Sequence, residues 1–231
     1  MHRKSRLTLV MMAILLAFGT MGIQPVKPIK AALPTDLFFS EYIEGSGSNK
    51  AIEIYNGTGS PVDLSDYRLE LYSNGASAPT GTADLSGTLS TGDVFVVANP
   101  SADAAILALA DMTSSSAINY NGDDAFALRK ISTDSFADVI GQIGYRPPSG
   151  YWGSNPVQTA DRTLVRKANI CAGDTNGSDV FDPVTEWDGY PQNTITYLGS
   201  HTSSCAPDIF PKRFIISEYV EGSSNNKAIE L

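Results

Sequence analysis

The sequence predicts an all-β protein whose main body is an antiparallel β-sandwich over residues 33–145. Three observations lead to this fold class. About seven short segments rich in β-branched and aromatic residues follow one another, and turn signals separate them. Stretches with helical periodicity are too few for β-α-β units. Short strands joined by frequent turns are typical of two packed antiparallel sheets.

The predicted elements can be read in chain order. In the second strand, Ile52 and Ile54 share one face and Glu53 lies on the other. Ser101 can cap a short helix, because its hydroxyl can accept a free backbone N–H of the first turn. The predicted strands are 37–43, 50–55, 67–72, 83–89, 94–98, 125–128 and 138–143, with an apolar bridge at 61–64 and the helix at 102–110.

Composition and charge exclude several classes of function. The chain has 16 Lys and Arg against 25 Asp and Glu, a formal net charge of −9. Residues 1–32 hold five of the basic residues and no acid, so the remainder is more acidic still. Such a chain repels a phosphate backbone, and we expect no direct nucleic-acid binding. The two histidines are too few for a multi-histidine metal site.

Residues 1–32 have the layout of a secretory signal peptide. A basic start at 2–6 precedes an uncharged, mostly apolar run at 7–23 and the polar stretch QPVKPIKAA. Cleavage is expected near Ala32, although Lys30 departs from the small-residue rule, and an uncleaved anchor is the alternative. The protein is therefore expected to be secreted and extracellular, with cell-surface association as a further option. No membrane span is expected after cleavage.

Cys171 and Cys205 are the only cysteines. Outside the cytoplasm such a pair is expected to form a disulfide, which contributes about 3–4 kcal/mol by loop closure. Two buried free thiols are the alternative. A metal site is disfavoured, because no Cys-x-x-Cys and no histidine cluster accompanies the pair.

The composition changes after Tyr145. The run RPPSG is a break, and the following residues are rich in Trp, Asp, Asn, Gly and Thr. Only 163–167 has the pattern of a strand. We predict that 146–205 is an irregular extension, tied by the disulfide and anchored on the sandwich by Trp152 and Trp187. Residues 206–213 are predicted to be a linker.

The chain repeats a 17-residue segment. FFSEYIEGSGSNKAIEI at 38–54 and IISEYVEGSSNNKAIEL at 215–231 are identical at 11 of 17 positions. This predicts that 214–231 is the truncated start of a second copy of the module. Two strands without a sheet cannot bury an apolar face, so we expect the chain to be a fragment of a longer protein.

The run KAIEIYNGTGSPVDLSDYRL, which begins at Lys50, resembles the core signature of the lamin-tail domain family. That signature has a strand with E-[IL]-Y-N, a turn, a V-D-L-S bridge and a strand that opens with an aromatic residue. The segments 94–98 and 123–129 fall where the family has its next strands. The resemblance implies an immunoglobulin-like sandwich over 33–145 and a non-catalytic role.

Two longer phrases are similar to a bacterial secreted branch of that family. They are SEYIEGSGSNKAIEIYNGTG and GDTNGSDVFDPVTEWDGYP. In this branch the module precedes an extracellular endonuclease/exonuclease/phosphatase-type domain, which would lie beyond Leu231. The branch has no agreed ligand, so the resemblance implies no binding residues for this chain.

No residue pattern indicates catalysis or a cofactor. The chain has no G-x-S-x-G, P-loop or G-x-G-x-x-G motif. We assign no catalytic, cofactor-binding or metal-binding residues and expect no cofactor. Asp123 and Asp124 follow Asn-Gly, and a turn is the favoured interpretation of the pair. His201 is interpreted as a surface residue.

Residues 174–179 place oxygen ligands at alternate positions, similar to a calcium loop. The sixth position, which is Gly in such loops, is Asp179, so an Asx-rich turn is favoured over a calcium site. A basic cluster is predicted to be a solvated strand face rather than a phosphate site. It comprises Arg162, Arg166 and Lys167.

Two further features stay open. Glu41 and Glu44 recur as Glu218 and Glu221, which turn geometry and strand pairing explain as well as ligand binding does. The glycosylation triplets at Asn56 and Asn176 matter only in an organism that glycosylates them.

Three functions follow for this chain. The first is a non-catalytic, secreted interaction or spacer module of a larger exported protein, with an unknown protein or surface ligand as its partner. The second is the N-terminal targeting arm of an extracellular nuclease or phosphoesterase. The third is a calcium-dependent adhesion module. The absence of a catalytic pattern favours the first, although fold does not fix function.

Overall fold

The computed structural model describes residues 33–205, 218–221 and 227–230. The predicted signal peptide (1–32) and linker (206–213) lie outside the described residues. In chain order the strands are β1 Phe38–Glu44, β2 Lys50–Tyr55, β3 Val62–Asp63, β4 Tyr67–Tyr72, β5 Gly81–Asp84, β6 Thr88–Leu89, β7 Val94–Ala98, β8 Met112–Thr113, β9 Ala125–Lys130, β10 Ser135–Ile140, β11 Gly153–Ser154, β12 Val157–Gln158, β13 Arg162–Arg166, β14 Trp187–Pro191, β15 Glu218–Glu221 and β16 Lys227–Glu230.

Two antiparallel sheets form the body of the protein, which confirms the predicted sandwich. The larger sheet has the order β14-β13-β1-β2-β7-β8, and the smaller has the order β10-β9-β4-β5. Only the short contact between β7 and β8 is parallel within these sheets. The predicted helix is shorter than expected: α1 covers Ala104–Leu107, and Asp103 rather than Ser101 occupies its N-cap position. No helix in the described part of the chain is long and apolar enough to cross a bilayer.

The core between the sheets contains a chain of packed aromatic rings. Tyr42 of the larger sheet stacks on Tyr120 with ring centroids 4.7 Å apart, and Tyr120 meets Phe126 of the smaller sheet edge-on at 5.4 Å. The Tyr120 hydroxyl donates hydrogen bonds to the carbonyls of Ile43 and Ala51, at 2.9 and 2.6 Å. This satisfies its polar end and fixes the loop before β9 against the β1–β2 hairpin.

The larger sheet is buried on both faces. Ile52 and Ile54 lie in the core between the sheets, as the alternation predicts. Glu53, on the opposite face, is also buried, because α1 and the C-terminal segment cover that face. We call residues 192–205 the strap; its Leu198 packs in the apolar cluster on this outer face.

The segment 146–205 is more regular than the sequence indicates. It supplies β13, which pairs with β1, and β14, which pairs with β13 at the sheet edge. The residues of β14 are WDGYP, and Asp, Gly and Pro weaken any strand signal. An edge strand tolerates them, since Pro191 ends the strand. The strand predicted at 163–167 corresponds to β13, whereas β14 was not predicted from the sequence.

The predicted disulfide joins Cys171 to Cys205, with Cα atoms 5.4 Å apart. Next to it, the backbone N–H of Ser204 donates to the carbonyl of Ala168 at 2.7 Å. The end of the strap is thus fixed to the loop that follows β13. The two predicted anchors, Trp152 and Trp187, are both buried.

A fully buried ion pair connects the two sheets. The Asp138 carboxylate of β10 accepts hydrogen bonds from the Arg166 guanidinium of β13 and from the backbone N–H of Phe39. Its other oxygen accepts from the backbone N–H of Asp174 at 2.7 Å. Arg166 also stacks over the Trp187 ring at 4.4 Å. The prediction of a solvated face was wrong for Arg166, because its partner lies on a different sheet.

The second hairpin repeats the pairing of the first. β15 and β16 form their own two-stranded sheet, in which Glu218 is opposite Glu230. In the first hairpin Glu41 is opposite Glu53. The sequence repeat is therefore also a repeat of strand register.

We predict that 33–145 does not fold alone, whereas 33–205 does. The shorter chain keeps Asp138 but lacks Arg166, both β13 and β14, and the disulfide. Urea unfolding followed by near-ultraviolet circular dichroism tests this. A cooperative transition of the shorter chain at a midpoint similar to that of 33–205 would contradict the prediction.

We predict that Arg166→Met lowers the free energy of unfolding by about 3–5 kcal/mol, since it leaves the Asp138 carboxylate buried without its counter-ion. Arg162→Met, on the same strand, is the matched control. Arg162 bonds only to Asn155 and a backbone carbonyl in exposed positions, so its loss should cost less than about 1 kcal/mol. Equal losses of unfolding free energy in the two variants would contradict the prediction that the buried ion pair stabilises the fold more than the exposed Arg162 does.

Candidate functional site

The candidate site lies on the outer face of the β1–β2 hairpin, beneath the strap. A β-bulge creates it: Phe39 is opposite Ile54, but the next register pair is Glu41 with Glu53. The extra residue lets Phe39 and Tyr42 both enter the core between the sheets. The bulge therefore places Glu41 of β1 opposite Glu53 of β2.

Glu53 is held by donors from two directions. Its Oε1 accepts from the Ser40 hydroxyl at 2.6 Å, and its Oε2 accepts from the backbone N–H of Gly199 in the strap at 2.6 Å. Burial raises the pKa of Glu53, while the hydrogen bonds from Ser40, Gly199 and Ser200 oppose that rise. The strap thus closes directly onto a carboxylate.

Glu41 has a different environment. Its side chain is 1% exposed, and neither carboxylate oxygen has a hydrogen-bond partner among the described residues. Burial, with the neighbouring Glu53 charge as a smaller cause, raises the pKa of Glu41 to about 9. A buried carboxyl group without partners is costly and calls for an explanation.

The strap is also fixed to the turn between β1 and β2. Asn193 Oδ1 accepts from the Ser46 backbone N–H at 2.9 Å and from the Asn49 side-chain amide at 3.3 Å. A Cβ on Gly45 would lie 2.4 Å from the same oxygen, so only glycine fits there. The conserved spacing within the repeat, E-G-S-x-x-N, therefore matches the contacts that hold the strap.

His201 is not the surface residue that the sequence predicts. Its ring meets Tyr55 at 4.9 Å and Phe38 at 5.9 Å between centroids, and its Nε2 is buried without a partner among the described residues. Burial, assisted by the Arg166 charge, lowers the pKa of His201 to about 4. The imidazole is thus neutral at pH 7 and serves as a packing residue of the strap.

The acidic loop contains consecutive Asx turns, as favoured from the sequence. Asp174 Oδ1 accepts from the Asn176 N–H at 2.8 Å, and Asn176 Oδ1 accepts from the Ser178 N–H and hydroxyl. The loop lines a concavity of about 390 Å³ with Asp179 and Glu186. Among the described residues, no group of three or more His, Cys, Asp or Glu side chains is arranged to hold a metal ion.

The remaining candidates have structural roles. Asp124 accepts backbone N–H groups of Asn74 and Asn121, so it closes a turn as expected. Asp123 pairs with Arg146 at 2.6 Å. The Asn56 side chain is fully buried and donates to two backbone carbonyls, whereas Asn176 is exposed. Of the two glycosylation triplets, only that of Asn176 is accessible in the folded protein.

Sequence reasoning missed two members of this site. The sequence placed Glu53 on the strand face opposite Ile52 and Ile54, but it did not indicate that the strap covers this face. The repeat was a signal for this site, because Ser40, Glu41 and Glu53 all recur in the second copy, Glu53 as Glu230. Alternation alone cannot reveal a cover that arrives from a segment 146 residues away.

We predict an acid-sensitive contribution from His201. Its pKa lies below the ordinary value of 6.5, so its contribution is complete above pH 6.5 and is lost as the pH falls toward 4. Between pH 7 and pH 4.5, wild type should lose about 1–2 kcal/mol more stability than His201→Gln, after allowance for partial exposure. Urea unfolding at both pH values measures this, and identical losses would refute the assignment. The comparison cancels the titration of Glu41, which both proteins share.

Comparison with known protein families agrees with the geometry. The Lamin Tail Domain family model matches residues 30–144, which include β1 to β10. No curated protein and no solved structure matches the chain. Strands β13 and β14 lie beyond the matched residues but belong to the same sheet. With its two antiparallel sheets and the match over 30–144, the chain belongs to the lamin tail domain family.

Proposed function

We propose that the chain is a secreted, non-catalytic module that serves a larger exported protein as an interaction or spacer unit. The observation that carries this proposal is the second hairpin, which repeats both the sequence and the register of β1–β2. A chain that starts the same sheet twice has the organisation of a tandem array. Such arrays extend a protein and present repeated surfaces.

Two features support export. Residues 1–32 have the basic, apolar and polar regions of a signal peptide. The Cys171–Cys205 disulfide is stable in an oxidising compartment and rare in the cytoplasm of mesophiles.

The burial of four titratable groups supports a non-catalytic role. A general acid or base must come within hydrogen-bond distance of a proton on the substrate. Glu41 and Glu53 lie beneath the strap, and the Asp138–Arg166 pair is fully buried between the sheets. No substrate can reach these groups in the folded module. The lamin tail domain is itself an immunoglobulin-like, non-catalytic domain.

A finer version of the proposal names the larger protein. The two phrases shared with the bacterial secreted branch suggest that the module is the N-terminal arm of an extracellular nuclease or phosphoesterase. The structure gives part of the second phrase a role: the Asp174 N–H bonds to Asp138, and Trp187 packs in the core. The phrase therefore supports the fold of the module and carries no reaction of its own.

The intact mass of the native secreted protein tests the proposal. The protein is captured from culture medium with an antibody to 33–205. We expect a mass well above that of the chain without its leader, because a larger exported protein carries the module. A mass equal to the chain without its leader would overturn the role in a larger protein.

A hydrolysis assay tests the non-catalytic part separately. Purified 33–205 is incubated with double-stranded DNA and with a phosphomonoester, and the captured native protein is assayed beside it. We expect no turnover by 33–205. Turnover by the native protein alone would favour the nuclease or phosphoesterase arm, whereas turnover by 33–205 would overturn the non-catalytic role.

A further inference from the structure

The repeated residues of the hairpin can be compared with their contacts in the first module. Eleven positions are identical between 38–54 and 215–231. Ten of them make packing or polar contacts inside the fold, although the Tyr42 hydroxyl is buried without a hydrogen-bond partner among the described residues. Glu44 pairs with Lys50 at 2.5 Å, Asn49 bonds to Asp103 at 2.7 Å, and the others pack in a core or contact the strap, Tyr120 or one another.

Glu41 is the exception. It recurs as Glu218, yet both of its carboxylate oxygens lack a partner among the described residues. Packing does not account for it either, because an apolar side chain would fill the same space without the cost of burying a carboxyl group. The chain therefore repeats a costly group that the contacts of the fold do not explain.

Protonation of Glu41 does not satisfy its buried carboxyl group. The protonated acid would need an acceptor for its O–H, and the carboxylate of Glu53, opposite it on the neighbouring strand, is one candidate. Glu53 accepts from Ser40 and Gly199, but it receives no hydrogen bond from Glu41. Protonation would thus leave a buried donor and a buried acceptor unsatisfied.

A cation bound between the carboxylates of Glu41 and Glu53 would satisfy both groups. Side chains directly opposite on antiparallel strands have Cβ atoms about 5 Å apart, so one ion can contact both carboxylates. A divalent ion would displace the proton from Glu41 on binding, and its two positive charges would then neutralise both carboxylates. Ca²⁺ accepts six to eight oxygen ligands in irregular geometry, so two carboxylates and a hydroxyl can form part of its ligand set.

We propose that Glu41 and Glu53, with the Ser40 hydroxyl, bind a calcium ion beneath the strap. This site is distinct from the acidic loop at 174–179 that the sequence singled out. Because Gly199 of the strap bonds to Glu53, the ion also strengthens the closure of the strap over the sheet. The second hairpin carries the same three residues as Ser217, Glu218 and Glu230, so the site is a repeated feature of the module.

The test is thermal unfolding of 33–205 in EDTA and in millimolar CaCl₂. Each sample is refolded from urea and equilibrated overnight, with the disulfide intact, so that slow entry beneath the strap cannot hide binding. We expect CaCl₂ to raise the melting temperature by roughly 4–8 °C, as for a ligand well above its Kd. Isothermal titration with CaCl₂ should give one site per chain.

Variants locate the ion. Glu41→Gln keeps the shape and removes the charge, so it should fold and lose the calcium shift. Two matched controls should keep the shift: Glu44→Gln on the same strand, and Asp174→Asn in the acidic loop.

Three outcomes would overturn the proposal. One is a wild type that does not respond to calcium. Another is a Glu41→Gln variant that responds as wild type does. The third is loss of the shift in Asp174→Asn alone, which would place calcium in the loop.

Discussion

The buried ion pair between Asp138 and Arg166 is the constraint on which the rest of the structure depends. Asp138 lies on the smaller sheet and Arg166 on the larger one, and neither side chain is exposed to solvent. Isolated burial of either charge is unfavourable by several kcal/mol, so each sheet is stable only with the other in place. The same carboxylate orders the start of the acidic loop through the N–H of Asp174. Strand β13, the loop and the strap are therefore parts of the module, although the family match ends at 144.

The second organising feature is that the larger sheet is covered on both faces. One face packs on the smaller sheet, and α1 and the strap cover the other. A sheet buried on both sides usually carries apolar residues throughout, yet β1 and β2 carry Glu41 and Glu53 on the covered face. Of these two carboxylates, Glu53 accepts a hydrogen bond from the backbone N–H of Gly199 in the strap, whereas Glu41 has no hydrogen-bond partner among the described residues. The strap is consequently a specific partner for the hairpin.

Local sequence patterns predict the fold because each strand and each turn is encoded within a few consecutive residues. Alternation in β2 and β4 identifies the inward residues, and Gly and Asn mark the turns; these signals give the sandwich and most strand positions. Long-range pairing has no local signal. The sequence WDGYP has the composition of a loop, and it forms a strand because it pairs with the edge of β13. Arg166 has the character of a surface residue, and it is buried because it pairs with Asp138 of the other sheet. The candidate site could not be predicted for the same reason, because no local pattern around Glu53 indicates that the strap covers it. The repeat is a long-range signal, as is the cysteine pair, and the repeat points to that site.

The repeat also constrains what a second hairpin needs. In the first module β1–β2 lies in the middle of its sheet, with β13 on one side and β7 on the other. The first hairpin occupies the partners of this module, so the equivalent contacts for β15–β16 must come from strands other than β7 and β13. Four of the six differences between the copies replace one apolar residue by another, as Val220 replaces Ile43, and such swaps are tolerated in a core; the other two lie in the turn. The identities include polar residues that contact the strap in the first module, such as Ser46 and Asn49. The repetition of these contact residues, together with the repeated strand register, is the basis of the proposed tandem array.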